Sequence, residues 1–364
     1  MKRRPPLNGA RVFLTGHTGF KGGWLALMLA ELGSEVHGYA LEPPTSPSFF
    51  EVARVARRIS SHTIADVRDF ERLRAIMRDA KPSLVMHLAA QPLVRRSYRE
   101  PLDTVATNVM GTANLLQVAS EVPGIRAVVT VTSDKCYENR ERTEPYREDE
   151  AMGGFDPYSA SKACAEILTA AWRRSFLECR GVRVASARAG NVIGGGDWAA
   201  DRLVPDFLRA INSGHELVLR SPASTRPWQH VLEPLIGYLR LAECLLGDHG
   251  ERFAEGWNFG PDPADVRSVQ WLTERLCAGV PGSRWRVDPA VQPHEAALLS
   301  LDSAKATTRL GWRPRWAAAE AVSRTLDWNR AWRSGADMQA FSIAQFREHG
   351  LLLPADTRPA ESTR

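Results

Sequence analysis

Through its first half the chain alternates short apolar runs with stretches whose apolar residues recur at helical spacing. The runs at residues 10–16 (ARVFLTG), 35–41 (EVHGYAL), 83–90 (SLVMHLAA), 125–133 (IRAVVTVTS) and 182–189 (VRVASARA) predict strands, with one more inside 59–69. Between them, residues 24–33 read as a helix ending at Gly33, a residue suited to a C-cap. Phe70, Leu73, Ile76 and Met77 share one face of a second helix, and helices are also predicted at 101–121 and 158–178. Strands and helices in strict alternation specify crossover connections, hence an α/β fold with a doubly wound parallel sheet of Rossmann-like type.

The pattern changes after residue 190. Residues 190–202 (GNVIGGGDWAADR) form a glycine-rich loop, 230–246 a helix, and 256–260 (GWNFG) a short strand; the last two are expected to return to the first sheet. The pieces at 268–279 and 284–288 predict a smaller C-terminal α+β lobe. The expected division is therefore 1–190 for the doubly wound domain, 191–229 and 261–345 for a second, smaller lobe, and 346–364 for a polar tail.

Composition narrows the classes. The 364 residues, 44% of them hydrophobic, suffice for one large domain or two moderate ones. The longest apolar runs fall well short of the roughly 20 residues a membrane helix needs, and no secretory h-region follows the basic start MKRRPP. Five cysteines, odd in number and without a C-x-x-C pair, fit a reducing, cytoplasmic setting and predict neither a disulfide framework nor a metal site. The net charge is +5, yet beyond the first four residues there is no basic block of nucleic-acid type. Neither nucleic acid nor membrane is expected as a partner, whereas an anionic small molecule suits the charge.

Candidate chemistry starts in LTGHTGFKGGW, which sets Gly16, Gly19 and Gly22 directly after the first strand and at the start of a helix. Glycines there let the backbone approach a pyrophosphate, and the helix N-terminus offers N–H donors. The spacing is G-x-x-G-x-x-G rather than G-x-G-x-x-G. Ala40 stands about where a ribose-binding acid is expected at the end of the second strand, and Glu42 comes slightly late. No arginine offers a clamp for a 2′-phosphate, so NAD is favoured over NADP. In DPYSASKACAE, Tyr158 and Lys162 lie four apart on one helical face. An ammonium beside a phenol favours the phenolate, which could take a proton from a substrate hydroxyl. Between these motifs, the strand ending VTSDKCYEN delivers Ser133, Asp134 and Lys135 to one place. Isolated histidines such as His37 and His62 read as surface or packing residues.

The glycine turn, Asp66-Val67, HLAA at 87–90, Ser133 and the Tyr158/Lys162 pair occur in an order that resembles the extended short-chain dehydrogenases/reductases, over residues 10 to about 330. That family acts mostly on nucleotide sugars with bound NAD(P). The strings GHTGFKGGWL, LAAQPLVRRSYREP, TSDKCYEN, ARAGNVIGGGDWA and RPWQHVLEPL are similar to its branch that dehydrates CDP-linked glucose to the 4-keto-6-deoxy sugar.

The resemblance implies cofactor contacts from Gly16, Thr18, Gly19, Phe20, Gly22, Asp66, Val67, Leu88, Ala89, Tyr158 and Lys162. Ser133 would bond the reacting 4-hydroxyl and Tyr158 would act as the base at C4, with Asp134 as the acid toward the 6-hydroxyl. In the thymidine-linked relatives the Asp134–Lys135 pair is Asp-Glu. Lys135 is either the base at C5, which requires it to be neutral, or a cation that stabilises an enolate. Asn191, Arg202 and Arg226 are implied at the diphosphate, Gln91 and Arg95 near the sugar, and His294 and Glu295 at the nucleoside. A homo-oligomer, dimer or tetramer, is also implied. A C4 epimerase, or a dehydratase of another nucleotide sugar, is the alternative activity.

Overall fold

The computed structural model describes residues 7–290 and 298–350. Among them, seven strands form one parallel sheet. In chain order the strands are β1 (Arg11–Thr15), β2 (Glu35–Ala40), β3 (Ser61–Ile64), β4 (Leu84–His87), β5 (Ala127–Val131) and β6 (Arg183–Ala189), with Gly256–Phe259 as the last. Their spatial order is β3-β2-β1-β4-β5-β6 followed by Gly256–Phe259, so the winding reverses between β1 and β4. Ligands of open parallel sheets bind at such a reversal, outside the carboxyl ends of the strands.

Both faces of the sheet are covered, because successive strand residues point to opposite sides. Val12, Leu14, Leu84, Met86, Ala127 and Val129 pack with Trp24, Leu25 and Met28 of the helix Phe20–Glu31 and with the helix Leu232–Leu246. Phe13, Val85, Val128 and Val184 meet Leu73, Met77, Leu115 and Leu116 on the other side. The expected helices at 70–82, 101–121 and 158–178 form, with π-helical turns at Ala106–Met110 and Arg173–Leu177. Leu32 caps the first helix and Gly33 follows at φ +85°, the left-handed geometry that favours glycine.

A third cluster builds the lobe: Ile193, Val204, Phe207, Leu217, Leu219, Trp228, Leu272, Leu276, Ala318, Ala321, Val322 and Leu326. Leu217–Leu219 pairs with Trp285–Val287, and Thr225–Pro227 runs antiparallel to Val266–Ser268. The C-terminal boundaries differ from expectation. A helix spans Met338–His349, so a polar tail cannot begin at 346. Met338 and Phe346 join the sheet core rather than the lobe. His349 is fully buried, with Nε2 3.0 Å from Glu233 Oε1. The apolar residues of this helix do not gather on one face, and a distant carboxylate meets its buried histidine.

Candidate active site

Every element expected to carry chemistry ends at the C-terminal edge of the sheet. The glycine turn follows β1, HLAA follows β4, Ser133 follows β5 and Asn191 follows β6. Close packing accounts for the glycines. A Cβ on Gly16, at φ +78°, would stand 2.7 Å from the Ala89 nitrogen, and one on Gly22 would stand 2.0 Å from the Gly16 carbonyl oxygen. The turn therefore lies hard against HLAA and against its own helix. At Gly19 a Cβ would meet only the Gly16 carbonyl, at 3.4 Å. Gly19 is also the N-cap of Phe20–Glu31, where no side chain caps the amides and no acid occupies the first turn. Such a helix start suits an anionic pyrophosphate.

Thr18 donates its hydroxyl to the Leu41 carbonyl at 2.8 Å, tying the turn to the end of β2, where Ala40 is buried and Glu42 exposed. Asp66 is held by the Arg68 amide (2.8 Å) and guanidinium (2.6 and 2.9 Å), and these bonds keep its carboxyl below the usual range against the cost of burial. Val67 is buried beneath Gly111, where a Cβ would stand 2.7 Å from its side chain.

The reacting groups gather beyond this turn. Tyr158 and Lys162 are both buried on the helix Pro157–Trp172. Burial pushes the phenol up to about 12, opposed by the Ser133 hydroxyl and the Arg202 charge. Among the protein's own groups, desolvation disfavours the phenolate more than the neighbouring cation favours it. Burial lowers Lys162 to about 8, and Glu166 one turn further on opposes that fall. Glu166 is itself buried and paired with Arg188 at 2.8 Å; it accepts from Ser186 at 2.6 Å and also from Thr132. Arg188 donates to the Tyr137 hydroxyl at 2.7 Å, which in turn donates to Asn258 at 2.7 Å. A buried ionic network, in which only Arg188 Nε lacks a partner, thus backs both the helix and the strand end that leads to Ser133.

Ser133 donates to Asp134 Oδ1 at 2.9 Å and accepts from the Lys135 amide at 3.3 Å. The second carboxylate oxygen, Asp134 Oδ2, is buried and has no hydrogen-bond partner. Lys135 lines a pocket that it shares with Tyr137, Asn139, Phe155, Asp156, Ser159 and Leu299, Ser159 being the residue after Tyr158.

Of the expected substrate residues, Arg202 donates to Asp197 at 2.9 Å with its charge felt at Tyr158. Arg95 lies 3.9 Å from Asp201, a residue it shares with Arg220 at 3.1 Å. Arg226 is buried, and Asn191 accepts the Gln229 amide through its carbonyl at 3.1 Å. Gln91 differs from expectation. Its amide donates to Leu93 and Thr104 and accepts from the Leu93 nitrogen, so it braces its own loop instead of reaching the sugar. His294 and Glu295 lie outside the described residues.

Three features escaped the sequence reading. Lys21, in the glycine turn, feels the charges of Arg202, Asp134, Lys162 and Asp197, and burial lowers it to about 7; its only sequence signal is a lysine inside that turn. Gly190 abuts Asp134, with nothing in the sequence to mark it. Gly195 and Gly196 thread between aromatic rings: a Cβ would strike Trp328 at 2.0 Å and Phe49 at 2.3 Å, and Trp24 donates to the Gly195 carbonyl at 2.9 Å. That wedge aims the loop carrying Asp197 and Arg202 at the site.

A sheet edge of this kind, with a phosphate-binding turn beside a Ser-Tyr-Lys set, defines a dinucleotide-dependent enzyme of alcohol and ketone chemistry. Residues 12–253 match the NAD dependent epimerase/dehydratase family, and the chain belongs to it. The chain is 51% identical over 357 residues to CDP-glucose 4,6-dehydratase of Salmonella typhimurium, covering 96% of this chain and 98% of that protein. It is 31% identical to dTDP-glucose 4,6-dehydratase of Streptomyces antibioticus, over 73% of this chain and 76% of the relative. Among solved structures, dTDP-glucose 4,6-dehydratase of Streptomyces venezuelae, with NAD and TYD bound, superposes with a TM-score of 0.76. That match has 26% identity over 90% of this chain and 98% of the other. A UDP-glucuronic acid 4-epimerase from Bacillus cereus, 19% identical over 88% of this chain and 99% of its own, shares the fold with a TM-score of 0.75. No helix among the described residues is long and apolar enough to cross a membrane.

Proposed function

We propose that the protein converts CDP-glucose to CDP-4-keto-6-deoxyglucose. The observation that carries this reading is Asp134: a buried carboxylate with one free oxygen, hydrogen-bonded through Ser133 and adjacent to Lys135, beside the Tyr158–Lys162 pair. Oxidation and reduction at C4 need Ser133, Tyr158 and Lys162 alone. Loss of water across C5 and C6 needs a further acid and base, and Asp134 and Lys135 supply those two groups. The 51% identity to the Salmonella enzyme supports cytidine as the base.

The glycine turn and the uncapped helix start fit NAD. NAD held there would supply a hydride acceptor for C4 and a donor for C6, with none consumed overall. The chain's own residues handle the protons. Ser133 holds the 4-hydroxyl while Tyr158 takes its proton, and the positive charge of a bound nicotinamide, added to those of Lys162 and Arg202, would offset burial and favour the phenolate. The resulting 4-ketone acidifies the C5 proton. Asp134, entering this step protonated, gives its proton through Oδ2 to the departing 6-hydroxyl, which leaves as water, while neutral Lys135 takes the C5 proton and returns it to C5 when the hydride reaches C6. Asn191, Arg202, Arg226 and Arg95 bind the diphosphate and the sugar side of the substrate.

Leu102, Val105, Met110, Ile167 and Phe176 stand exposed on the neighbouring helices of residues 101–121 and 157–177, an apolar face that a second copy of the chain would cover. This face supports the reading of a homo-oligomer, dimer or tetramer, and Ile167→Asp would shift its sedimentation toward that of a smaller species. Five free cysteines fit a cytoplasmic enzyme.

The test is incubation with CDP-glucose and NAD, followed through the base-shifted ultraviolet absorbance of a 4-keto-6-deoxy product. Formation of CDP-galactose instead would establish the epimerase.

A further inference from the structure

His87 closes β4 directly opposite Thr15 at the end of β1. The Thr15 hydroxyl accepts the backbone amides of Leu88 at 3.1 Å and Ala89 at 3.2 Å. Both of its lone pairs are then taken, and its single proton is left for His87 Nδ1 at 2.8 Å. A ring nitrogen that receives a proton carries none, so a neutral His87 holds its hydrogen on Nε2. Nε2 lies 3.1 Å from the Thr112 hydroxyl, which donates in turn to the Asn108 carbonyl at 2.7 Å.

Asn108 sits in the π-helical turn Ala106–Met110. Such turns interrupt the regular ladder and are frequent at functional sites. The Asn108 amide donates to the Ser161 hydroxyl at 2.9 Å, and Ser161 donates to the Tyr158 carbonyl at 2.7 Å. Asn108 also accepts the Gln91 amide at 2.8 Å and donates to the Gln91 carbonyl at 3.1 Å. The Leu88 amide is shared between the Thr15 hydroxyl and the Thr15 carbonyl at 3.2 Å, whereas the Thr112 hydroxyl, its proton given to Asn108, can only accept from Nε2, which fixes the direction at His87.

We infer that His87 is a positioning residue locked as the Nε2–H tautomer, and that the Thr15–His87–Thr112–Asn108 line holds the dinucleotide turn in register with the helix bearing Tyr158 and Lys162. This rests on the reading of Tyr158 and Lys162 given above. A proton on Nδ1 would face a hydroxyl with no lone pair left to accept it. Burial and the Lys162 charge act in the same direction, lowering the imidazole to about 3. A side chain that merely filled the space would leave the Thr15 proton and the Thr112 acceptor buried without partners.

Nitrogen–proton correlation spectra of the imidazoles in the full-length protein test the tautomer without substrate, so this test stands or falls apart from the proposed reaction. One His87 signal with hydrogen on Nε2 only, unchanged from about pH 6 to 8.5, is expected, and a hydrogen on Nδ1 or a titration in that range overturns the inference. The positioning role is read from His87→Leu and His87→Gln, the second keeping a donor near the Nε2 position. The leucine variant should lose roughly tenfold or more in kcat with KM changed less than about threefold, and the glutamine variant should recover most of that loss. A folded leucine variant with wild-type kcat would remove the positioning role. Should it fail to fold, the spectra and the kcat of the glutamine variant decide.

Discussion

Asp134 Oδ2 faces the Cα of Gly190, where a methyl group would stand 2.5 Å from the carboxylate oxygen. The free end of the candidate acid is thus defined by a strand-end glycine 56 positions later in the chain. Gly190→Ala forces the carboxylate aside, because Pro227 closes the same space at 2.7 Å. Its expected effect is a loss of about tenfold to a hundredfold in kcat, measured by product absorbance, with the melting temperature lowered by only a few degrees. A wild-type rate would show that Asp134 does not need this position.

Lys135→Ala separates the two halves of the proposed reaction. Tyr158 and Lys162 are untouched, so C4 oxidation should continue while water loss stops. Reduced cofactor should therefore accumulate in the presence of CDP-glucose, visible by its absorbance or fluorescence. Unchanged turnover would take Lys135 out of the mechanism.

The ionic network behind the catalytic helix carries a stability prediction. Glu166 and Arg188 are 4% and 6% exposed, and removing one charge strands the other in the core. Glu166→Gln should cost about 3–5 kcal/mol of unfolding free energy, read from urea denaturation. A loss below about 1 kcal/mol would mean that the pair is solvated.

Stability should also depend on pH through Lys21 and Lys162. Folding lowers Lys21 from 10.5 to about 7 and Lys162 from 10.5 to about 8. Above those values the unfolded chain binds protons that the folded chain does not, so stability rises with pH. The contribution is fully present only above 10.5 and is lost as pH falls through about 7 and 8. Urea midpoints should climb between about pH 7 and 9, and Lys21→Met should flatten that climb. An identical slope in the variant would show that Lys21 stays charged in the fold.

The parallel sheet was legible because its strands bury both faces, and continuous apolar runs such as AVVTV need no partner to be recognised. The glycine turn, Ser133 to Lys135 and the Tyr158/Lys162 spacing were legible for a related reason. Each is a local device, completed within a few residues by a strand end or one helical face.

Features assembled from distant parts of the chain were hidden. Met338–His349 shows little apolar periodicity, and its burial depends on Glu233, which binds His349 and also accepts the Trp316 amide at 2.8 Å. Gln91 resembled a sugar contact, yet Leu93 and Thr104 take up its amide. Burial acts on Tyr158 together with Ser133, Asp134 and Arg202, a balance that the Tyr158/Lys162 spacing does not record. By itself the sequence determined the class of the fold, the glycine turn and the candidate reacting groups, since short-range spacing encodes them. Tertiary structure alone decided which oxygen of Asp134 is free, which tautomer His87 holds and which charges reach Tyr158. Those depend on desolvation and on bonds closed between residues far apart in the chain, and no local pattern records them.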